Sequence, residues 1–195
     1  MDGIDIRQLD TGELRHAISY VPKNFDLFYG SVAQNLRLAN PTATDEHVQT
    51  IAEDSGLLDP DYEIFLPEGV ETRLTNQRII EMPNDLKQRI ILARAFIKPA
   101  PFFLFDSPAQ DLNAVGKEMF IHKLNQLRGN STVIMLTQRE DLIEQSDRVI
   151  GMVNGQIEFD VPVSRYLRVK QKSTAPVPPE QSPRNQSEFR TESAM

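Results

Sequence analysis

The spacing of hydrophobic and polar positions changes period several times along the chain, and each change marks an element. Between Leu86 and Ile97 the apolar residues Leu86, Ile90, Ala93 and Ile97 recur at three- and four-residue steps, so they fall on one helical face. Lys98-Pro99 stops that helix, because proline cannot continue it and restricts the residue before it. Phe102-Phe103-Leu104-Phe105 follows as an unalternating apolar run that ends on Asp106. Such a run predicts a strand buried on both faces, as in a parallel sheet. In open α/β sheets ligands bind beyond the carboxyl ends of the strands, which makes Asp106 a candidate site residue.

Upstream, Gly3-Ile4-Asp5-Ile6 alternates and reads as a short strand. Asp10 or Thr11 caps a brief helix around Glu13–His16, and Ile18–Val21 is a β-branched and aromatic strand closed by Pro22. Ser31-x-x-Gln34 is a capping-box pattern that opens a helix ended by Asn40-Pro41. Thr44 caps another, with Asp45 and Glu46 at its positive end, Val48, Ile51 and Ala52 on its apolar face, and Gly56 just past its end. Downstream, Ala114–Leu127 is amphipathic, with Phe120, Leu124 and Leu127 on one face. Thr132–Thr137 predicts a second buried-type strand and Asp141–Gln145 a short helix. Val149–Val153 and Gln156–Phe159 predict a hairpin turning at Asn154-Gly155, and Val163–Leu167 a terminal helix. From about Val169 the composition shifts to Lys, Gln, Ser, Pro, Glu and Asn, so 169–195 is expected to be a disordered tail.

Composition narrows the class. A length of 195 residues suggests one domain plus extras. The net charge of −7 argues against a nucleic-acid-binding surface, which needs a basic face. With no cysteine there are no disulfides or thiolate metal sites, and His16, His47 and His122 lack ligand spacing. No apolar run approaches the roughly 18–20 residues that span a bilayer, and the start of the sequence lacks the regions of a signal peptide. A cytoplasmic chain that meets the inner face of the membrane only through a partner is expected.

A P-loop needs G-x-x-x-x-G-K-[ST], whose amides and lysine cradle phosphates. Gly116-Lys117 is the only Gly-Lys pair, but Asp111 stands at the first glycine position and Glu118 at the hydroxyl position. The fingerprint G-x-G-x-x-G is absent as well.

The order of several segments carries more. Asp2–Lys23, Leu27-Phe28-Tyr29-Gly30, Leu66-Pro67-Glu68-Gly69, Gln88-Arg89-Ile90, Leu92-Ala93-Arg94-Ala95, Phe102–Asp106, Leu112-Asn113 and Ser146-Asp147-Arg148-Val149 follow one another. In this order they resemble the nucleotide-binding domain of an ATP-binding cassette (ABC) transporter. The sequence is most similar to exporters with this domain fused behind a membrane domain, such as those of type I secretion. The resemblance implies an α/β, P-loop NTPase-type cassette core with a mostly parallel sheet, an inserted helical subdomain and a missing N-terminal Walker A part. The partial domain would be 1–168, with the helical subdomain at 24–98 and the Walker B half at 99–168. ATP and magnesium are the implied cofactors. The implied partners are a transmembrane exporter domain, met by the helical subdomain, and another nucleotide-binding domain in a dimer.

Carried over residue by residue, the resemblance places Lys23 at the Q-loop glutamine and Met82-Pro83-Asn84-Asp85-Leu86 at the signature. It places Asp106 at the Walker B carboxylate, Ser107 at the catalytic glutamate, Asn113 at the D-loop aspartate and Gln138 at the switch histidine. Asp106 keeps a carboxylate able to hold magnesium through water. Ser107 is a poor general base at pH 7, and losing a positioned base lowers rates by about 10²–10⁴. Lys23 has donors only, so it cannot ligate magnesium. Gln138 cannot titrate, and Asn113 keeps hydrogen bonding without charge. Pro83 lacks an amide hydrogen and Asp85 brings a carboxylate towards the phosphate position, where Asn84 or Asp85 is expected to cap the helix instead. The leading expectation is a degenerate cassette without ATPase activity on its own. Three alternatives stay open at this point: the Walker B half of an ATPase completed by a P-loop-bearing chain, a non-catalytic interaction module, and a split-gene remnant.

Overall fold

The side chain of Asp10 accepts the amides of Gly12 and Glu13 and starts helix α1 (Thr11–Ala17). The computed structural model describes residues 3–24 and 26–173. The strand expected at Gly3–Ile6 is replaced by a 3-10 turn at Ile6–Gln8, held by the Asp5 side chain on the Arg7 amide. Ile4 and Ile6 are exposed, so their alternation meets no sheet, and the local side-chain bond sets the backbone instead.

Strand β1 (Ile18–Val21) leads into β2 (Gly30–Ser31) and α2 (Val32–Arg37), which opens on the full Ser31/Gln34 capping box. Thr44 caps α3 (Asp45–Asp54), and Gly56 follows it at φ +65, a conformation that favours glycine. Two 3-10 turns, Pro60–Tyr62 and Gly69–Glu71, carry the chain to β3 (Arg73–Leu74), which pairs antiparallel with β2. Helices α4 (Asn76–Glu81) and α5 (Asn84–Phe96) complete this helical part. Its core gathers Val32, Leu36, Val48, Ile51, Leu74 and, from α5, Leu86, Ile90 and Ala93, with Ile97 just past its end.

The other face of α5 closes a second core. Strand β4 (Phe102–Asp106), α6 (Ala114–Leu127), β5 (Thr132–Leu136) and α7 (Glu140–Ile143) follow in order. The sheet is wholly parallel in the order β1-β4-β5, with Val21 beside Phe105 and Asp106 beside Leu136. Ile91 and Leu92 of α5, Phe120 of α6 and Leu142 of α7 pack with Val21, Phe103 and Phe105. This cover lies on one face only, which corrects the expectation of strands buried on both. Phe105 is fully buried, but Tyr20 is 55%, Ile134 48% and Leu136 53% exposed on the alternate positions. An unalternating apolar run licenses two-sided burial but cannot supply the second layer.

Two compact units divide the chain, with the boundary between Gln145 and Ser146, where the sequence reading drew none. The second unit is a hairpin of β6 (Arg148–Val153) and β7 (Gln156–Pro162) followed by α8 (Val163–Ser173). Asn154 and Gly155 sit at φ 49 and 77, the positive values that a two-residue hairpin turn requires. Helix α8 runs to Ser173, so a tail drawn from 169 would start inside it; its remainder, 174–195, lies outside the described residues. Among the described residues, no helix is long and apolar enough to cross a membrane.

Candidate functional site

The parallel register brings one group of site residues to the carboxyl edge of the sheet. Lys23 lies two residues past Val21, Asp106 ends β4, and Gln138 lies two residues past Leu136. Lys23 and Gln138 are exposed and Asp106 is half-buried. Ser107 turns the chain at φ 55, in the left-handed region, with its amide donating to the Leu136 carbonyl at 2.9 Å. Its hydroxyl donates to Asp106 Oδ1 at 3.3 Å, so it leans on the carboxylate instead of standing free.

The loops beyond this edge are tied to each other. Arg139 Nη1 donates to the Ala109 carbonyl at 2.9 Å, linking the turn after β5 to the turn after β4. Arg139 also grips Asp141, which Lys117 meets from α6 at 2.8 Å. The Arg139 guanidinium first, and the Lys117 ammonium next, hold the Asp141 carboxyl well below the usual carboxylate range.

A second group meets at the start of α5. The residue before its first turn is Pro83, and no side chain caps it. This corrects the expectation that Asn84 or Asp85 caps the helix: both lie inside the first turn, too far along for a capping geometry. Asn84 is exposed, while Met82 and Leu86 are core residues of the helical part. Asp85 is half-buried and uses both carboxylate oxygens. One carboxylate oxygen accepts the Asn113 amide at 2.8 Å. The other accepts Arg89 Nε at 3.1 Å and the Tyr62 hydroxyl.

Arg89 is itself buried and makes further bonds. Its Nη2 donates to Asn113 Oδ1 at 2.9 Å, and its guanidinium lies over the Tyr62 ring, 5.2 Å from the centroid. The Asn113 side chain also accepts the Gly116 amide and so caps α6. Burial first, and the Asp85 carboxylate next, push the Tyr62 hydroxyl up to about 12. Gln88 Oε1 accepts the Asp111 amide at 2.8 Å, a second tie between α5 and the loop after β4.

Lys23, Asp106, Ser107 and Gln138 therefore share the sheet edge, while Asp85 and Asn113 share the α5 network. Sequence reasoning did not single out Tyr62, Arg139 or Asp141, and it weighed Lys117 only as the lysine of a P-loop pattern that fails. Arg89 had a signal, a charged side chain between the apolar residues of a buried helix. Tyr62 had none, because its partners are distant in the sequence.

Comparisons with known proteins bear on this arrangement. The chain is 29% identical over 161 residues to an ABC transporter ATP-binding/permease protein of Haemophilus influenzae, covering 80% of the chain and 28% of that protein. It is 29% identical over 171 residues to a multidrug export ATP-binding/permease protein of Staphylococcus aureus, covering 88% and 29%. The chain is related to ABC exporters. In fold it matches a bacterial Atm1-family ABC exporter with ATP bound, at a TM-score of 0.77 and 24% identity over 86% of the chain and 29% of the exporter. At that identity the likeness shows the cassette fold alone. No protein-family model matches the chain. This ABC-related chain spans less than a third of the length of these two curated relatives.

Proposed function

We propose that this chain is an ABC-exporter-related contact module that does not turn over ATP on its own. It acts through residues 24–98, which meet a transmembrane exporter partner at the inner face of the membrane. The observation that carries this reading is the Asp85 carboxylate in the first turn of α5, engaged by Tyr62, Arg89 and the Asn113 amide.

The resemblance implies ATP and magnesium, and the relatives are named as ATP-binding. The residues present do not fit that cofactor. At the helix start a phosphate would meet a carboxylate already bound within the chain, and Pro83 offers it no N–H. At the sheet edge Ser107 is an uncharged hydroxyl leaning on Asp106, and Lys23 has no acceptor for a metal. The 195 residues contain no G-x-x-x-x-G-K-[ST] pattern. The cargo is proposed only as far as export, which covers both the multidrug export in a relative's name and the type I secretion of the sequence resemblance.

A thermal melt of the purified chain with and without magnesium-ATP tests the first part. A ligand at a hundredfold excess over its dissociation constant stabilises the folded state by about 2.7 kcal/mol, so binding is readable. The expected result is a cooperative transition indifferent to magnesium-ATP; an upward shift at millimolar ligand would overturn it. Nucleotide-independent co-purification with a membrane exporter subunit supports the contact role. A second reading rests on Asp106 at the sheet edge, where it could complete a P-loop supplied by another chain. ATP hydrolysis that appears only on mixing with such a chain, and disappears in Asp106→Asn, would favour it.

A further inference from the structure

The donors of the buried Arg89 are not equally served. Nε donates to Asp85 at 3.1 Å and Nη2 to Asn113 at 2.9 Å. Nη1 reaches only the Ser55 carbonyl at 3.5 Å, the Gly56 carbonyl at 3.4 Å and Met119 Sδ at 3.4 Å. The two carbonyl contacts are longer than ordinary N–H···O bonds, and a thioether sulfur is a weak acceptor. A buried charged donor served so poorly is costly. Room lies beside it, because Gly56 and Gly116 stand where a Cβ would run into Arg89. Arg89, Gly116 and Met119 line a cavity of about 10 Å³. That is the lower limit for a free water molecule, and it suits a single covalently held atom. Asp54 and Lys123 line the same cavity as an ion pair at 2.9 Å, with side chains 43% and 18% exposed, so it lies just beneath the surface. Met119 itself is half-buried.

We propose that Met119 is an oxidation site whose sulfoxide oxygen is received by Arg89 Nη1, so that a peroxide tightens the hold of α6 on α5. In that step a sulfur lone pair attacks hydrogen peroxide. The S–O bond forms as the O–O bond breaks, and the departing hydroxide takes up the remaining proton and leaves as water. Sulfur is oxidised and the peroxide reduced by the same electron pair. A sulfoxide on a half-buried methionine is ordinarily disruptive, because it brings a polar oxygen into an apolar contact. Here the sign reverses, since the oxygen meets a buried cation without a close acceptor, and a charge-assisted bond is stronger than one between neutral groups. The oxygen can stand on either side of the sulfur and only one side points at Nη1, so one sulfoxide epimer should prevail. Nothing in this step depends on a membrane partner.

The test treats the purified 195-residue chain with hydrogen peroxide, maps each methionine by peptide mass spectrometry and follows thermal melting by circular dichroism. Met152, 63% exposed, is the internal reference. Met119 should oxidise within the folded chain. After digestion, the two stereospecific methionine sulfoxide reductases should find mainly one epimer at Met119 and both at Met152. The melting shift on oxidation, parent minus Met119→Leu, cancels the other methionines and should be a rise of about 2–4 °C. Met119→Gln, which carries a fixed amide oxygen, should melt above Met119→Leu by a similar margin. Should Met119→Leu fail to fold, the epimer ratio and Met119→Gln against the parent carry the test. A Met119 that stays reduced while Met152 is fully converted overturns the inference. So do equal epimers at Met119, or a melting temperature that its oxidation leaves unchanged or lowers.

Discussion

At the scale of single residues, Asp85 joins the Tyr62 hydroxyl, the Arg89 guanidinium and the Asn113 amide. Its removal leaves Arg89, only 3% exposed, without its carboxylate. Breaking a buried ion pair from one side is destabilising by about 3–5 kcal/mol. Asp85→Ala should therefore lower the urea midpoint by a large fraction of total stability, with no change in the slope of the transition. Tyr62 supplies a pH signature. Its pKa is raised from the ordinary 10 to about 12 in the folded chain, so the contribution is fully present below pH 10 and is lost as pH rises towards 12. Urea titrations across pH 9–12 should show that loss, and Tyr62→Phe should remove it. Gly56 sits at φ +65 with Arg89 and Met119 against the place of a Cβ. Gly56→Ala should be destabilising by about 1–3 kcal/mol, read from the same midpoints, because it combines backbone strain with a push on Arg89. The glycine was legible in the sequence as a helix terminator. Its second role, making room for Arg89, was not, because the two residues are 33 positions apart.

At the scale of elements, the parallel sheet shows where a pattern reading stops. Phe102–Phe105 and Thr132–Thr137 were legible as strands from their apolar runs, the second ending at Leu136 in the structure. Which face would be covered was not, because the period of such a run is the same whether one layer or two packs against it. The structure puts α5 and α6 behind Phe103 and Phe105 and leaves Ile134 and Leu136 outside. Phe105→Ala should then be destabilising by about 3–5 kcal/mol, whereas Ile134→Thr should stay within about 0.5 kcal/mol. Urea midpoints decide between the two faces. Leu136→Lys should lower light scattering at high concentration without lowering the midpoint, since β5 pairs on one side only and carries no charge of its own. Helix starts behaved more predictably. Ser31 and Thr44 cap as their spacing indicated, and of Asp10 and Thr11 it is Asp10 that caps α1. The α5 start did not, because Asn84 and Asp85 fall one and two positions inside the helix and Asp85 finds better partners across the fold.

At the scale of the whole molecule, every buried apolar residue of the two described cores precedes Gln145. A chain ended at Gln145 should accordingly keep a cooperative thermal melt followed by circular dichroism, and loss of cooperativity would show that the hairpin unit is needed for folding. What the sequence determined by itself was local or ordinal. Caps, helix stops and the Asn154-Gly155 turn depend on bonds within a few residues, and the order of short motifs was enough to indicate the cassette fold. Tertiary structure alone decided the rest. Tyr62, Asp85, Arg89 and Asn113 span 51 positions, and Arg94 finds Phe28 from another element. No periodicity encodes such meetings, because a polar side chain reads the same in the sequence whether it faces water or a buried partner. The division after Gln145 and the one-sided cover of the sheet have the same origin: they depend on which layers pack together, and a strand's own residues do not carry that.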